Sequence, residues 1–292
     1  MSDQNARSEK LPPLRLGLTA LLLGNICLSF GPWFVRLADT GPVAAAFWRM
    51  ALATPLLFVF AGMAGAPVRR LKRPTVLLFL VSGLFFAADL ASWHIGIHHT
   101  KLANSTLLGN AASFLLPLYG FIAARQWPNR VQGSALALAT AGATLLIGRS
   151  FELSPENFRG DLLCLLAGIF YTVYLVLMGR ARDGLAAWPT LAWTSLSSIL
   201  PLIVLAWMLG EQVIPQNWTP LIALAFFSQI AGQGLMIYAV GRVSPLLLGI
   251  TLLTQPAIAA AIGWLVYREA LSLADWSGAA LIALALVLVR KG

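Results

Sequence analysis

Of the 292 residues of the chain, 59% are hydrophobic and 11% charged, against about 25% charged in soluble domains. A water-facing surface cannot be built from so few charges, which excludes a soluble fold and makes lipid the main solvent. The net charge of +9 is scattered along the chain, without the contiguous patch or soluble fold that a nucleic-acid binder needs.

Residues 1–15 are polar, with Arg7, Lys10 and Arg15, and are expected to form a cytoplasmic tail. The next apolar run is a full span without a small-residue cleavage site, so no removed signal peptide is expected. A hydrocarbon core about 30 Å thick needs about 20 apolar residues per helix. Such runs predict helices near 16–35, 42–64, 74–95, 101–124, 131–148, 160–179, 187–209, 218–240, 244–266 and 274–290. The gaps carry breakers such as Gly65-Ala66-Pro67, Gln126-Trp127-Pro128-Asn129, Ser154-Pro155-Glu156-Asn157 and Pro215-Gln216-Asn217. Continuous apolar runs exclude the polar/apolar alternation of a porin-type barrel. Cys27 and Cys164 fall inside spans, where cysteine acts as a small apolar residue, so neither a disulfide framework nor a metal site is expected.

With the amino terminus inside, fourteen of the twenty Lys and Arg residues fall on inner segments and five, Arg36, Lys101, Arg149, Arg159 and Arg268, on outer ones. Arg49 alone lies within a span. This bias satisfies the positive-inside rule, and ten helices put both termini in the cytoplasm. The expected location is the cytoplasmic (inner) membrane of a bacterium, as a multi-pass protein.

The polar stretch 151–159 divides the chain near its middle. A shift of about 144 residues lays Gly24 on Gly168, Thr75 on Thr219, Asp89 on Gln233 and Asn110 on Thr254; Pro55 meets Pro201 at 146 and Gly133 meets Gly278 at 145. The organisation expected is therefore a first five-helix repeat at 16–150, an outer connecting loop at 151–159 and a second repeat at 160–292. An odd helix count per repeat inverts the second copy, the architecture of secondary transporters with a midplane site between halves.

Phe47-Trp48-Arg49, Tyr238-Ala239-Val240, Pro256, Glu269 thirteen residues on and Gly278 nine further resemble the drug/metabolite transporter superfamily with its paired five-helix EamA domains. The first half departs from the pattern: no acidic residue follows Pro117, and Arg125-Gln126 stand near the expected Glu. Either Ser113 or Pro117 is then the partner of Pro256. Within the superfamily the chain is similar to exporters of aromatic and other hydrophobic amino acids. The resemblance implies a cavity lined by helices 1, 3, 4, 6, 8 and 9.

An ionisable group inside a span costs about 2.5 to 3.5 kcal/mol on insertion scales, so such groups face protein or water. Arg49 and Asp89 sit at similar depth on helices 2 and 3, as a packing ion pair or as part of a site. Trp93 follows Asp89 by one turn on the same face, and Gln229 with Gln233 repeats that spacing in the second half. Asp89 is a candidate to accept a substrate ammonium or carry a proton. His94 lies beside Trp93, as an interfacial residue or a substrate contact. Asn25, Asn110, Tyr171, Tyr174 and Thr254-Gln255 fall near mid-depth, where interhelical hydrogen bonding and cavity lining compete. His98 and His99 make poor metal geometry without further ligands, so no metal and no cofactor is expected. Trp127, Trp188, Trp218 and Trp276 read as interface anchors. Pro32, Pro55, Pro117, Pro201 and Pro256 interrupt spans, as hinges or static kinks.

The expected partners are the lipid bilayer and a small-molecule substrate, an amino acid or similar metabolite, with protons a candidate co-substrate. No nucleotide-binding loop is present, so gradients are the expected energy source. Competing functions are a multidrug or other metabolite exporter of the same fold, an intramembrane enzyme, for which no nucleophile, His and acid cluster appears at one depth, and a receptor or scaffold.

Overall fold

The computed structural model describes residues 14–65, 71–100, 105, 108–148, 155, 157–182, 185–240, 242–255, 258 and 273–291. Among them there is no strand, and the helices are α1 (Leu14–Ser29), α2 (Gly31–Leu37), α3 (Pro42–Met63), α4 (Arg73–His99), α5 (Ala112–Ala124), α6 (Arg130–Gly148), α7 (Phe158–Arg182), α8 (Ala187–Met208), α9 (Thr219–Ala239), α10 (Pro245–Leu252) and α11 (Leu273–Lys291). Six segments, Leu16–Leu37, Pro42–Met63, Arg73–His99, Phe158–Arg182, Ala187–Met208 and Thr219–Ala239, are long and apolar enough to cross a membrane. Ala112–Ala124 and Trp276–Val289 are shorter apolar helices. The helix expected at 244–266 is described only to residue 255 and at 258, and Pro256, Arg268 and Glu269 lie outside the described residues.

The principal packing pairs are α3 on α8, α4 on α7, α1 on α9, α5 on α10 and α6 on α11. Each joins the first half of the chain to the second. The interfaces are built from small residues that let backbones approach. On α3 the buried positions Ala46, Met50, Ala53, Leu57 and Ala61 recur every three or four residues, and α8 answers with Leu191, Ser195, Ser198, Leu202 and Ala206. Between α1 and α9, a side chain at Gly24 would sit 3.1 Å from the Gly232 carbonyl oxygen, so glycine is what permits that crossing. The opposite faces are apolar and open. On α4, Leu77, Leu80 and Leu84 are exposed, a stripe for lipid at helical spacing.

The first expected span is broken. The Ser29 hydroxyl donates back to the Asn25 carbonyl at 2.7 Å, a bond that bends helices. Gly31 and Pro32 then open α2. Pro32 thus stands at a break, whereas Pro55, Pro117 and Pro201 sit inside continuous helices. The middle of α9, Leu224–Gln233, is wound as a π-helix. Carboxylates tie the loops at one end of the bundle. Glu211 accepts from the backbone N–H groups of Val43 (3.2 Å) and Ala44 (2.8 Å) in the first turn of α3. Asp39 accepts from the N–H groups of Gln216 (2.9 Å) and Asn217 (3.0 Å). The other end carries Arg180, Arg182 and Arg242, and Arg182 Nε donates to the Ile237 carbonyl at 3.2 Å.

Candidate functional site

A cavity of about 90 Å³ opens at mid-length between helices of both halves. Tyr171 stands near the middle of α7 and Ser228 near the middle of α9, and both line it. From α4 come Phe86, Asp89, Leu90 and Trp93. Their spacing of three, four and seven residues is one face of an α-helix, so a regular helix suffices to aim all four at one space. Trp93 is held close: a side-chain carbon at Gly109 would lie 2.8 Å from the indole Nε1, so residue 109 admits the ring because it is glycine.

Arg49 lines the cavity from α3. Its Nε donates to Gln229 Oε1 at 3.2 Å, and Gln229 Nε2 donates in turn to the Ser195 hydroxyl at 2.8 Å. The chain of bonds fixes the guanidinium, which stands 6.0 Å from the centre of the Phe86 ring. Arg49 and Asp89 act on each other electrostatically. Among the described residues no contact ion pair joins them; they occupy the walls of one cavity.

On α9 the π-winding decides which side chains reach the cavity. Residues five apart are rotated by about 140° in an α-helix of 3.6 residues per turn, but i→i+5 bonding stacks them nearly one above the other. Ser228 and Gln233 are five apart, and both line the cavity. Gln233 Nε2 donates to the Tyr171 hydroxyl at 3.1 Å. The Gln233 Oε1 atom and the Ser228 hydroxyl are buried without a partner in the protein. Unpartnered buried groups of this kind cost about 1–3 kcal/mol each, and a donor entering the cavity would satisfy them.

Of the residues singled out in the sequence, Asp89, Trp93, Asn110, Tyr171, Gln233 and Gln255 line the cavity, together with Arg49 and Pro32. The others form buried bonds around it. Asn25 Nδ2 donates to the Thr251 carbonyl (2.7 Å) and to the Thr254 hydroxyl (3.3 Å), and Gln255 Nε2 donates to Asn25 Oδ1 at 2.9 Å, which ties α1 to α10. Gln229 serves Arg49. Tyr174 stacks on Phe86 with centroids 4.2 Å apart and on Tyr171 at 5.7 Å. His94 is buried; its Nδ1 donates to the Pro42 carbonyl at 2.9 Å. His98 and His99 end α4, and no group of His, Cys, Asp or Glu able to hold a metal occurs among the described residues.

Sequence reasoning missed Ser228 and Phe86. Phe86 precedes Leu90 by one turn, and extending the face of Asp89 and Trp93 backward would have found it. Ser228 gives no such signal, because its place depends on π-winding.

The arrangement offers a carboxylate, a guanidinium, an amide oxygen and a hydroxyl within walls of Phe86, Trp93, Tyr171, Leu28 and Leu90. Such a set suits a solute with ionic or hydrogen-bonding groups at one end and an apolar body at the other. A relative from Archaeoglobus fulgidus described as an uncharacterized transporter is 26% identical over 170 residues, spanning 56% of each chain, so the chain covers little more than half the length of that relative. A protein of Pseudomonas aeruginosa, described as the pseudopaline exporter CntI, is 24% identical over 95% of this chain and 97% of its own. A solved crystal structure superposes with a TM-score of 0.76 at 19% identity, covering 94% of this chain and 97% of that one, which shows a shared fold. The model of the EamA-like transporter family matches twice, at residues 15–148 and 158–291, and the chain belongs to that family.

Proposed function

We propose that this chain is a secondary transporter that exports amino acids with aromatic or other hydrophobic side chains, by alternating access at the mid-length cavity. The observation that carries the reading is the pairing of Asp89 and Arg49 on the walls of one aromatic-lined cavity. Asp89 accepts the substrate ammonium, Arg49 takes its carboxylate, and Phe86, Trp93 and Tyr171 enclose its side chain by stacking and ring-face contact. Asp89 is also placed to carry a proton when no ammonium is bound. The cavity volume is small against the roughly 300–1,000 Å³ of ordinary ligand sites, so a metabolite must widen it, as alternating access requires.

The working architecture is ten spans in two inverted five-helix repeats, 16–150 and 160–292, joined by an outer loop at 151–159, with both termini in the cytoplasm of a bacterial inner membrane. Exchange symmetry supports it. In the first half α3, α5 and α6 pack on their own counterparts α8, α10 and α11, and α4 on α7 mirrors α9 on α1. Such exchange lets two oppositely oriented halves trade conformations at nearly equal energy. Pro32, Pro55, Pro117, Pro201 and Pro256 are the hinge candidates.

A second reading, export of another metabolite, is favoured by the match to the pseudopaline exporter over nearly the whole chain. Proteoliposomes loaded with phenylalanine, tryptophan, leucine or pseudopaline, with and without a proton gradient, separate the two. Saturable flux of the hydrophobic amino acids supports the first reading. Flux of pseudopaline alone supports the second, and absence of any saturable flux refutes both. An Asp89→Asn variant that keeps its full rate and pH profile removes both roles from Asp89.

A further inference from the structure

A second cavity, of about 280 Å³, lies at the arginine-bearing end of the bundle. Its walls are apolar, with Leu116, Leu175, Val240 and Leu248 among them, and Arg180 and Tyr119 also line it. Four of the segments that wall the central cavity also wall this one, further along. On α7 the step from Tyr171 to Leu175 is four residues, and from Gln233 on α9 to Val240, the residue that follows its last turn, it is seven. On the other two lining segments the steps, from Asn110 to Leu116 and from Gln255 to Leu248, are six and seven residues. At 1.5 Å per residue these are displacements of about 6–10 Å, all toward one end. Two cavities thus share four lining segments, one offset from the other along them.

The boundary between them has an identifiable member. The hydrogen bond from Gln233 Nε2 to the Tyr171 hydroxyl, 3.1 Å long, spans from α9 to α7. On each helix it joins the last residue to line the central cavity before the lining of the second one begins. It is a single bond between neutral groups, strong enough to hold a partition and weak enough to release.

Resting on the transport reading above, we propose that the apolar cavity at the arginine-bearing end is an antechamber of the central site, a second station for the substrate's apolar side chain, and that the Gln233–Tyr171 hydrogen bond is the latch between the two. Arg180 at the antechamber attracts the carboxylate of an arriving amphipathic solute while leucine and valine walls take its body. Gly179 keeps the wall open. A side-chain carbon there would meet only Val240 Cγ1, at 3.8 Å, so a larger residue can fill the cavity without a clash at its base.

The test needs no substrate, so its failure is distinct from failure of the transport reading. In the full chain with Cys27 and Cys164 replaced by alanine, Val176→Cys and Ser228→Cys are exposed separately to a charged, membrane-impermeant methanethiosulfonate from either face of sealed vesicles. Val176→Cys reacts from the arginine-bearing face. Ser228→Cys reacts from that face roughly two- to tenfold faster once Tyr171→Phe or Gln233→Leu is added, the range set by losing one neutral hydrogen bond. Adding Gly179→Leu, which favours the helix, reverses the gain. A Val176→Cys that is unreactive from the arginine-bearing face overturns the antechamber. A Ser228→Cys rate unmoved by both latch variants, each with unchanged melting temperature, overturns the latch.

Discussion

α4 and α9 occupy equivalent places in the two halves and wall the same cavity, yet they reach it by different means. α4 is regular throughout its 27 residues, and ordinary helical spacing aims Phe86, Asp89, Leu90 and Trp93 inward. α9 is π-wound over ten residues, which aims Ser228 and Gln233 inward and sends Gln229 to Arg49. One wall therefore carries a formal charge and the other only an amide and a hydroxyl. Two halves matched by the same family model thus build an asymmetric cavity, with its carboxylate on the α4 wall.

The largest effect is expected from erasing that asymmetry. Asp89→Asn leaves two neutral walls, and because losing a partner for a buried charge costs about 2–5 kcal/mol, flux of a cationic or zwitterionic substrate falls at least about thirtyfold in proteoliposomes. Deleting Phe226, an exposed residue of the π segment, pulls α9 toward the winding of α4. Ser228 and Gln233 then separate by about 140° around the helix, and flux drops roughly tenfold, the equivalent of one hydrogen bond near 1.4 kcal/mol. Helix content by circular dichroism stays unchanged. If the deletion transports at the full rate, π-winding has no part in the site.

Gln229→Leu tests the side chain that holds Arg49. It removes the acceptor of Arg49 Nε, and a hydrogen bond to a charged group contributes about 1.5–3 kcal/mol. The expected result is a lower unfolding midpoint in detergent with a smaller loss of flux than for Asp89→Asn. The mildest change is Gly109→Ala, whose methyl displaces the Trp93 indole on the α4 side. A few-fold rise in the half-saturation concentration is expected with stability nearly intact; an unaltered value would show that Trp93 does not hold substrate.

The regular helix is the part that could be read from the chain. Asp89 announced itself because a carboxylate in a lipid-length run must have protein or water beside it, and Trp93 followed from one turn of spacing. The pairing of Gln229 with Gln233 rested on the same spacing and separated in the structure, since one turned to Arg49 and the other to Tyr171. π-winding leaves no periodic mark, so Ser228 was invisible. Asn25 was legible as a mid-depth amide, but its partners on and just past α10 lie more than two hundred residues away. The helical fold was carried by composition, and the break at Ser29 by Gly31 and Pro32. The Glu211 cap was not legible, because a carboxylate in a loop does not name the helix end it will meet.

That cap imposes an order in time. The N–H groups of Val43 and Ala44 lie 168 and 167 residues upstream of Glu211. At about 5–20 residues per second of synthesis, α3 waits roughly ten to thirty seconds in the bilayer before the group that closes its first turn emerges. A chain stopped at residue 150 would never receive it, so the first half is completed by the second rather than merely joined to it.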